Sequence, residues 1–184
     1  MVLKSQQTPT LSRKQGAVLS FLFEKIVLGD KVSTLDLGLK GNFSGRFLAA
    51  YANLPDSRTI VFTLPTYNSG VFFGVCATDP VKTATILANL EDYEREGGVV
   101  RIGEAIRLPD ATSEYSVTHS ILLLRTATLP ETKKVPDHAT IGEEQIRFAL
   151  AVPLSAHEYE YRRSHGHDAL MDKFERDGKD LSLS

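Results

Sequence analysis

The sequence predicts an α+β fold, one domain in which a mixed, largely antiparallel sheet is flanked by helices. Three observations carry this. Short apolar runs rich in Val, Ile and Phe recur along the chain, some with the two-residue alternation of half-buried strands. Segments near 12–28, 79–96 and 155–176 instead show helical spacing behind capping residues. Between two of the apolar runs, Pro65-Thr-Tyr-Asn-Ser-Gly70 is all turn chemistry, so its flanking strands are expected to pair antiparallel.

The bulk properties agree. A chain of 184 residues, 42% hydrophobic and 24% charged, suits one domain that buries a real core without disulfides or metals. A formal net charge of -2 supplies no basic face for nucleic acid, so no nucleic-acid partner is expected. The single cysteine, Cys76, cannot form an internal disulfide, and a buried thiol suits a reducing cytosol. Ala17 to Leu28 is interrupted by Glu24 and Lys25, is too short to span a bilayer and has no cleavage site after it. The expected location is cytoplasmic, with no membrane partner.

In chain order, residues 1–10 are expected as a flexible tail and 11–177 as the domain. Ser12 and Gln15 match a capping box, Val18, Leu19, Leu22, Phe23 and Ile26 share a helical face, and Gly29 can end that helix. Leu35, Leu37 and Leu39 alternate with polar or small residues as a short strand. Arg46 to Ala52 is open between strand and helix. Thr59–Leu64 and Val71–Cys76 read as strands. Asp79 then caps a helix with Pro80 at its first position, Ile86, Leu87, Leu90 and Tyr93 lie at helical spacing, and Gly97-Gly98 stops it. Val100, Ile102, Ile106 and Leu108 suggest a strand with a bulge at Gly103, and Val117 to Leu124 another. Residues 127–143, with Pro130 and Pro136, read as a long surface loop. Ile146, Phe148, Leu150 and Val152 alternate in a strand expected to stop at Pro153. Ser155 and Glu158 form a second capping box, Gly166 breaks the helix before Asp168, and 178–184 are expected as a flexible tail.

Catalytic signatures are thin. His157, His165 and His167 gather near Glu158, Glu160 and Asp168, but ligand pairs on a helix want i, i+4 spacing and these lack it. Polar residues around a helix junction are the simpler reading, so no metal or other cofactor is expected. Ser120 beside His119 has no glycine elbow, and Cys76 has no flanking base. Gly38, Gly41 and Gly45 match no phosphate loop. Glu158 with Arg162, and Asp172 with Arg176, sit at i, i+4 as solvated helix pairs. No catalytic residue is expected and the chain does not read as an enzyme.

From about Phe47 to Asp177 the order of elements resembles the suppressor of fused-like domain family. The pieces are Tyr51, Thr59 to Leu64, Gly70-Val-Phe-Phe73, Leu90-Glu-Asp-Tyr93, Gly103-Glu-Ala-Ile106, Leu122-Leu-Leu124, and the strand from Phe148 to Leu154 with its two helices. The chain departs from the family pattern in three places. It has no tryptophan, Ala105 stands where a histidine is common, and Glu91-Asp92 replaces an Ala-Arg step.

The resemblance implies a protein-binding module rather than an enzyme. The stand-alone, bacterial-type members imply an immunity-type inhibitor that neutralises a cognate toxin domain, as a monomer or homodimer. The open alternatives are an enzyme with no recognisable motif, using the histidines near residue 165, and a structural or regulatory dimer without a toxin partner. The resemblance places partner binding at Glu104 and Tyr93. Glu104 also interrupts the apolar alternation of Ile102, Ile106 and Leu108, and a tyrosine offers apolar area with a polar tip.

Overall fold

The computed structural model describes residues 10–26, 32–38, 46–54, 56–66, 69–108 and 118–183. Helix α1 (Arg13–Lys25) is followed by strands β1 (Val32–Gly38), β2 (Arg46–Asn53), β3 (Thr59–Leu64) and β4 (Gly70–Cys76). Helix α2 (Pro80–Arg95), β5 (Ala105–Arg107), β6 (Ser120–Leu124), β7 (His138–Ile141) and β8 (Glu144–Leu154) come next, then α3 (Ala156–His165) and α4 (His167–Asp177). The sheet runs β1-β2-β3-β4-β8-β6-β5, with β7 also paired to β8. Among the described strands every pair is antiparallel except β4 with β8. This is the expected α+β domain.

Local chemistry explains the helix starts. The Ser12 hydroxyl accepts the Gln15 N–H while the Gln15 amide oxygen accepts the Ser12 N–H, and Ser155 with Glu158 repeats the arrangement. The Asp79 carboxylate accepts the N–H groups of Val81 and Lys82 ahead of α2. The pleat then divides the core into two layers. Phe62, Phe73, Phe148, Leu150 and Val152 face α1 and α4, where the Phe148 ring stacks on Phe21 and Phe73. Val61, Phe72, Ala149 and Ala151 face the other way, under Ile86, Leu87 and Leu90 of α2. β3 and β4 are therefore buried along their whole length.

Several expectations need correction. Residues 127–143 are not a surface loop. Two short 3-10 turns bury Thr126, Leu129 and Thr132, and β7 and β8 form a hairpin whose turn uses Gly142 at φ +65°. β8 also does not stop at Pro153, which lies opposite Ile121 of β6. The Arg147 N–H donates to Ser69 on the β4 side, and residues 149, 151 and 153 share that side. Pairing with β4 ends at Leu150, so the missing N–H of Pro153 leaves no ladder bond broken.

The expected strand from Val100 to Leu108 shrinks to Ala105–Arg107, because Gly103 at φ +88° turns the chain rather than bulging it. Arg46 to Asn53 resolves as strand β2. In the C-terminal segment expected to be loose, the Leu183 N–H donates to the Val75 carbonyl at 2.6 Å and its side chain is buried beside Gly74 and Thr83. Leu183 occupies space that β8 leaves as it parts from β4. Residues 1–9, Gly29, Leu39, Lys40 and Val117 lie outside the described residues.

Candidate functional site

The connection from the end of α2 to β5 is irregular but firmly held. Gly97 donates to the Glu94 carbonyl and Gly98 to the Tyr93 carbonyl, closing the helix end. The Tyr93 ring lies directly on Gly98, where a Cβ would stand 2.3 Å from its Cε1, so any side chain at 98 would displace that ring. Further on, the Gly103 N–H donates to the Leu123 carbonyl and the Leu123 N–H to that of Glu104, fastening the connection to β6. Arg162 of α3 donates to the Gly103 carbonyl from outside.

Arg147 of β8 supports the same segment from below. Its guanidinium donates to the Val100 carbonyl at 2.7 Å and to the Glu94 carboxylate. The Glu94 side chain is 8% exposed and that of Arg147 36%, so the carboxylate is fixed inside while the guanidinium keeps one side toward water. A fixed guanidinium presents its remaining donors at little further entropic cost.

On this support the connection turns apolar groups outward. Among the described residues, the exposed large hydrophobic side chains are Phe23 at 48%, Tyr93 at 41%, Val99 at 53% and Ile102 at 38%. Three of these four stand within ten positions of the connection. Beside Ile102 lies a cleft of about 150 Å³. Phe72, Val100 and Ala149 form its apolar floor, and Arg101, Ile102, His138 and Arg147 its rim.

Of the two predicted partner-binding residues, Tyr93 lies in the last turn of α2 and Glu104 on this connection. Tyr93 packs against Gly98 and stays exposed, and the Glu104 carboxylate stands 4.0 Å from the exposed Arg101 guanidinium, an open and weak pair. Sequence reasoning did not single out Val99, Ile102 or Arg147. For Val99 a signal existed: adjacent Val99 and Val100 cannot both face inward on extended chain. Arg147 looked like an ordinary polar position of an alternating strand, and only the tertiary fold brings Glu94 to it.

The polar clusters weighed for chemistry do not converge. His165 stacks on Tyr161 at 4.3 Å and its Nδ1 lies 3.1 Å from the Tyr161 carbonyl, while His157 is exposed. Among the described residues no three His, Cys, Asp or Glu side chains group closely enough to hold a metal ion. Ser120 is fully buried, and the His119 ring lies 5.2 Å from Tyr159 of α3. Burial pushes the Cys76 thiol up from its ordinary value, despite a hydrogen bond with Thr83, the opposite of an activated thiolate. The expected i, i+4 helix pairs are also rearranged. Glu158 pairs with Lys179 at 2.9 Å, Arg162 reaches Gly103, and Lys173 with Asp177 makes the i, i+4 pair. No described helix is long and apolar enough to cross a membrane.

The family profile described as suppressor of fused protein matches residues 60–183, about two thirds of the chain, including all of this connection. The chain belongs to the suppressor of fused family. Among solved structures it is similar to a putative suppressor of fused homolog from Neisseria gonorrhoeae FA 1090, with a TM-score of 0.69 at 14% identity over 92% of both chains. A suppressor of fused from Drosophila matches at a TM-score of 0.47 and 13% identity, over 86% of this chain and 42% of that one. A structure of a Sufu–Fu complex matches equally at 0.47 and 13%, over 92% of this chain and 75% of the other. No curated protein sequence matches the chain significantly. The family fold thus spans nearly the whole chain, and its profile starts at Ile60 in β3.

Proposed function

We propose that this chain is a protein-binding module that docks its partner on the α2–β5 connection. The further reading is that it is an immunity-type inhibitor of a cognate toxin domain. The observation that carries the docking surface is the clustering of Tyr93, Val99 and Ile102, exposed apolar side chains on one short segment with polar neighbours around it. The bonds from Leu123, Arg147 and Arg162 hold that segment in place before any partner arrives, which lowers the ordering cost of binding. Tyr93 supplies amphipathic area and Glu104 a carboxylate within the same segment.

Membership of the suppressor of fused family supports protein binding over catalysis, and the buried, unactivated state of Cys76 agrees with it. The immunity reading extends the fold likeness to a bacterial homolog. The test is co-expression with the product of the neighbouring gene, followed by calorimetry of the purified pair. Rescue of growth and a stoichiometric complex are expected. Tyr93→Ala and Glu104→Arg are each expected to cost on the order of 2 kcal/mol of affinity with folding intact. No rescue and no complex would contradict the immunity reading. Unchanged affinity in both variants would contradict the docking surface.

A further inference from the structure

We propose that the cleft under the connection is an anchor pocket for one apolar side chain of a partner polypeptide, flanked in that partner by carboxylates. The proposal rests on the docking reading above and adds the chemistry of what docks. The cleft exists because the cover over this part of the sheet is thin. α2 packs across β3 and β4 and ends at Arg95, and among the described residues Arg101 and Ile102 edge the cleft beyond it, beside Ala149 of β8. Alanine at 149 leaves the space open, and Phe72 and Val100, both nearly fully buried, close it below.

Size decides the class of occupant. A volume of about 150 Å³ is below the roughly 300–1,000 Å³ of ordinary small-molecule sites, and it suits one side chain of leucine size. Pockets that take a single buried anchor, ringed by further apolar contacts, are where binding energy concentrates in protein interfaces. Ile102, exposed at the rim, provides such a contact.

Charge decides what flanks the anchor. Among the described residues, the ionisable side chains lining the cleft are Arg101, His138 and Arg147, with no carboxylate. Glu94 lies behind Arg147 and holds it in place through one side of the guanidinium, leaving further donors open. Glu104 reaches Arg101 only at 4.0 Å, with both groups exposed. A segment carrying Asp or Glu beside an apolar residue therefore meets complementary charge at the rim, and a basic segment meets repulsion.

The probe is a set of blocked tripeptides, acetyl-Asp-Leu-Asp-amide, acetyl-Lys-Leu-Lys-amide and acetyl-Asp-Ala-Asp-amide, titrated into isotope-labelled protein with amide shifts followed by NMR. The acidic leucine peptide is expected to shift Val100, Arg101, Ile102 and Ala149, and to bind about threefold to fivefold tighter than the basic one. The alanine peptide is expected to bind more weakly than its leucine counterpart. Arg101→Glu, at an exposed position that does not threaten folding, is expected to reduce or reverse the charge preference. Ala149→Leu is expected to fill the pocket and remove the shifts. Equal binding of acidic and basic peptides, shifts confined to other surfaces, or no shift in the cleft with any peptide would overturn the proposal. If it fails while Tyr93→Ala still weakens the partner complex, the docking surface stands and only the pocket is lost.

Discussion

Strands β3, β4 and β8 and the α2–β5 connection both carry apolar residues in quick succession, and the fold treats the two groups oppositely. In the strands, backbone pairing on both edges frees the side chains to face two covered layers, so Phe62, Phe73, Phe72 and Phe148 are all buried. In the connection, Gly97, Gly98 and Gly103 interrupt any ladder, and Val99 and Ile102 stay outside. Leaving them half-exposed forgoes on the order of 1 kcal/mol each of burial. An exposed apolar group held by three neighbouring elements is not a frayed end. The difference separates residues that make the fold from residues that the fold presents.

Substitutions sharpen this division, and the largest effects belong in the sheet. Phe73→Ala removes a fully buried ring that lies against Phe62 and Phe148, and is expected to cost about 3–5 kcal/mol in urea unfolding. Leu183→Ala tests whether the C-terminal segment belongs to the same core. A loss of about 2 kcal/mol is expected, and a change near zero would return that segment to the class of loose tails.

Effects shrink toward the connection. Glu94→Gln uncouples Arg147, and because that guanidinium is partly exposed the expected loss is only about 1–2 kcal/mol. Glu158 should show itself through pH. Burial raises its carboxyl pKa, but hydrogen bonds from Ser155 and Lys179 outweigh this and hold it below the ordinary value. A depressed folded-state pKa means that the stabilisation is present above the unfolded value and lost as pH falls through the folded one. Stability measured across the acid limb should therefore fall more gently in Glu158→Gln than in the parent. Smallest of all, Ile102→Ser and Val99→Ser should change stability by no more than about 1 kcal/mol. A larger loss would place these side chains in the core and remove the contrast.

How much was legible follows from how local each cause is. The boxes of Ser12 with Gln15 and Ser155 with Glu158, and the Asp79-Pro80 start, are written within four residues and appear in the structure as read. β7 was not legible because His138–Ile141 is only four residues long and half of it polar, and its pairing needs β8. The strand expected from Val100 to Leu108 had the right alternation, but Gly103 adopts a conformation that alternation cannot reveal. Leu183 looked like part of a polar tail because the space that receives it is made by Gly74 and Thr83, far away in sequence. The connection itself was marked by Tyr93 and Glu104, whereas Arg147 and the cleft depend on where β8 passes beneath that connection.

The central claim is that residues 93–104 are presented for a partner. Hydrogen–deuterium exchange on the complex with a co-purifying protein partner, compared with the free chain, tests it most directly. The account predicts new protection across 93–104 and little change in β3 and β4, which are already protected by burial. Protection confined to the α1 surface around Phe23, with 93–104 unchanged, would contradict it.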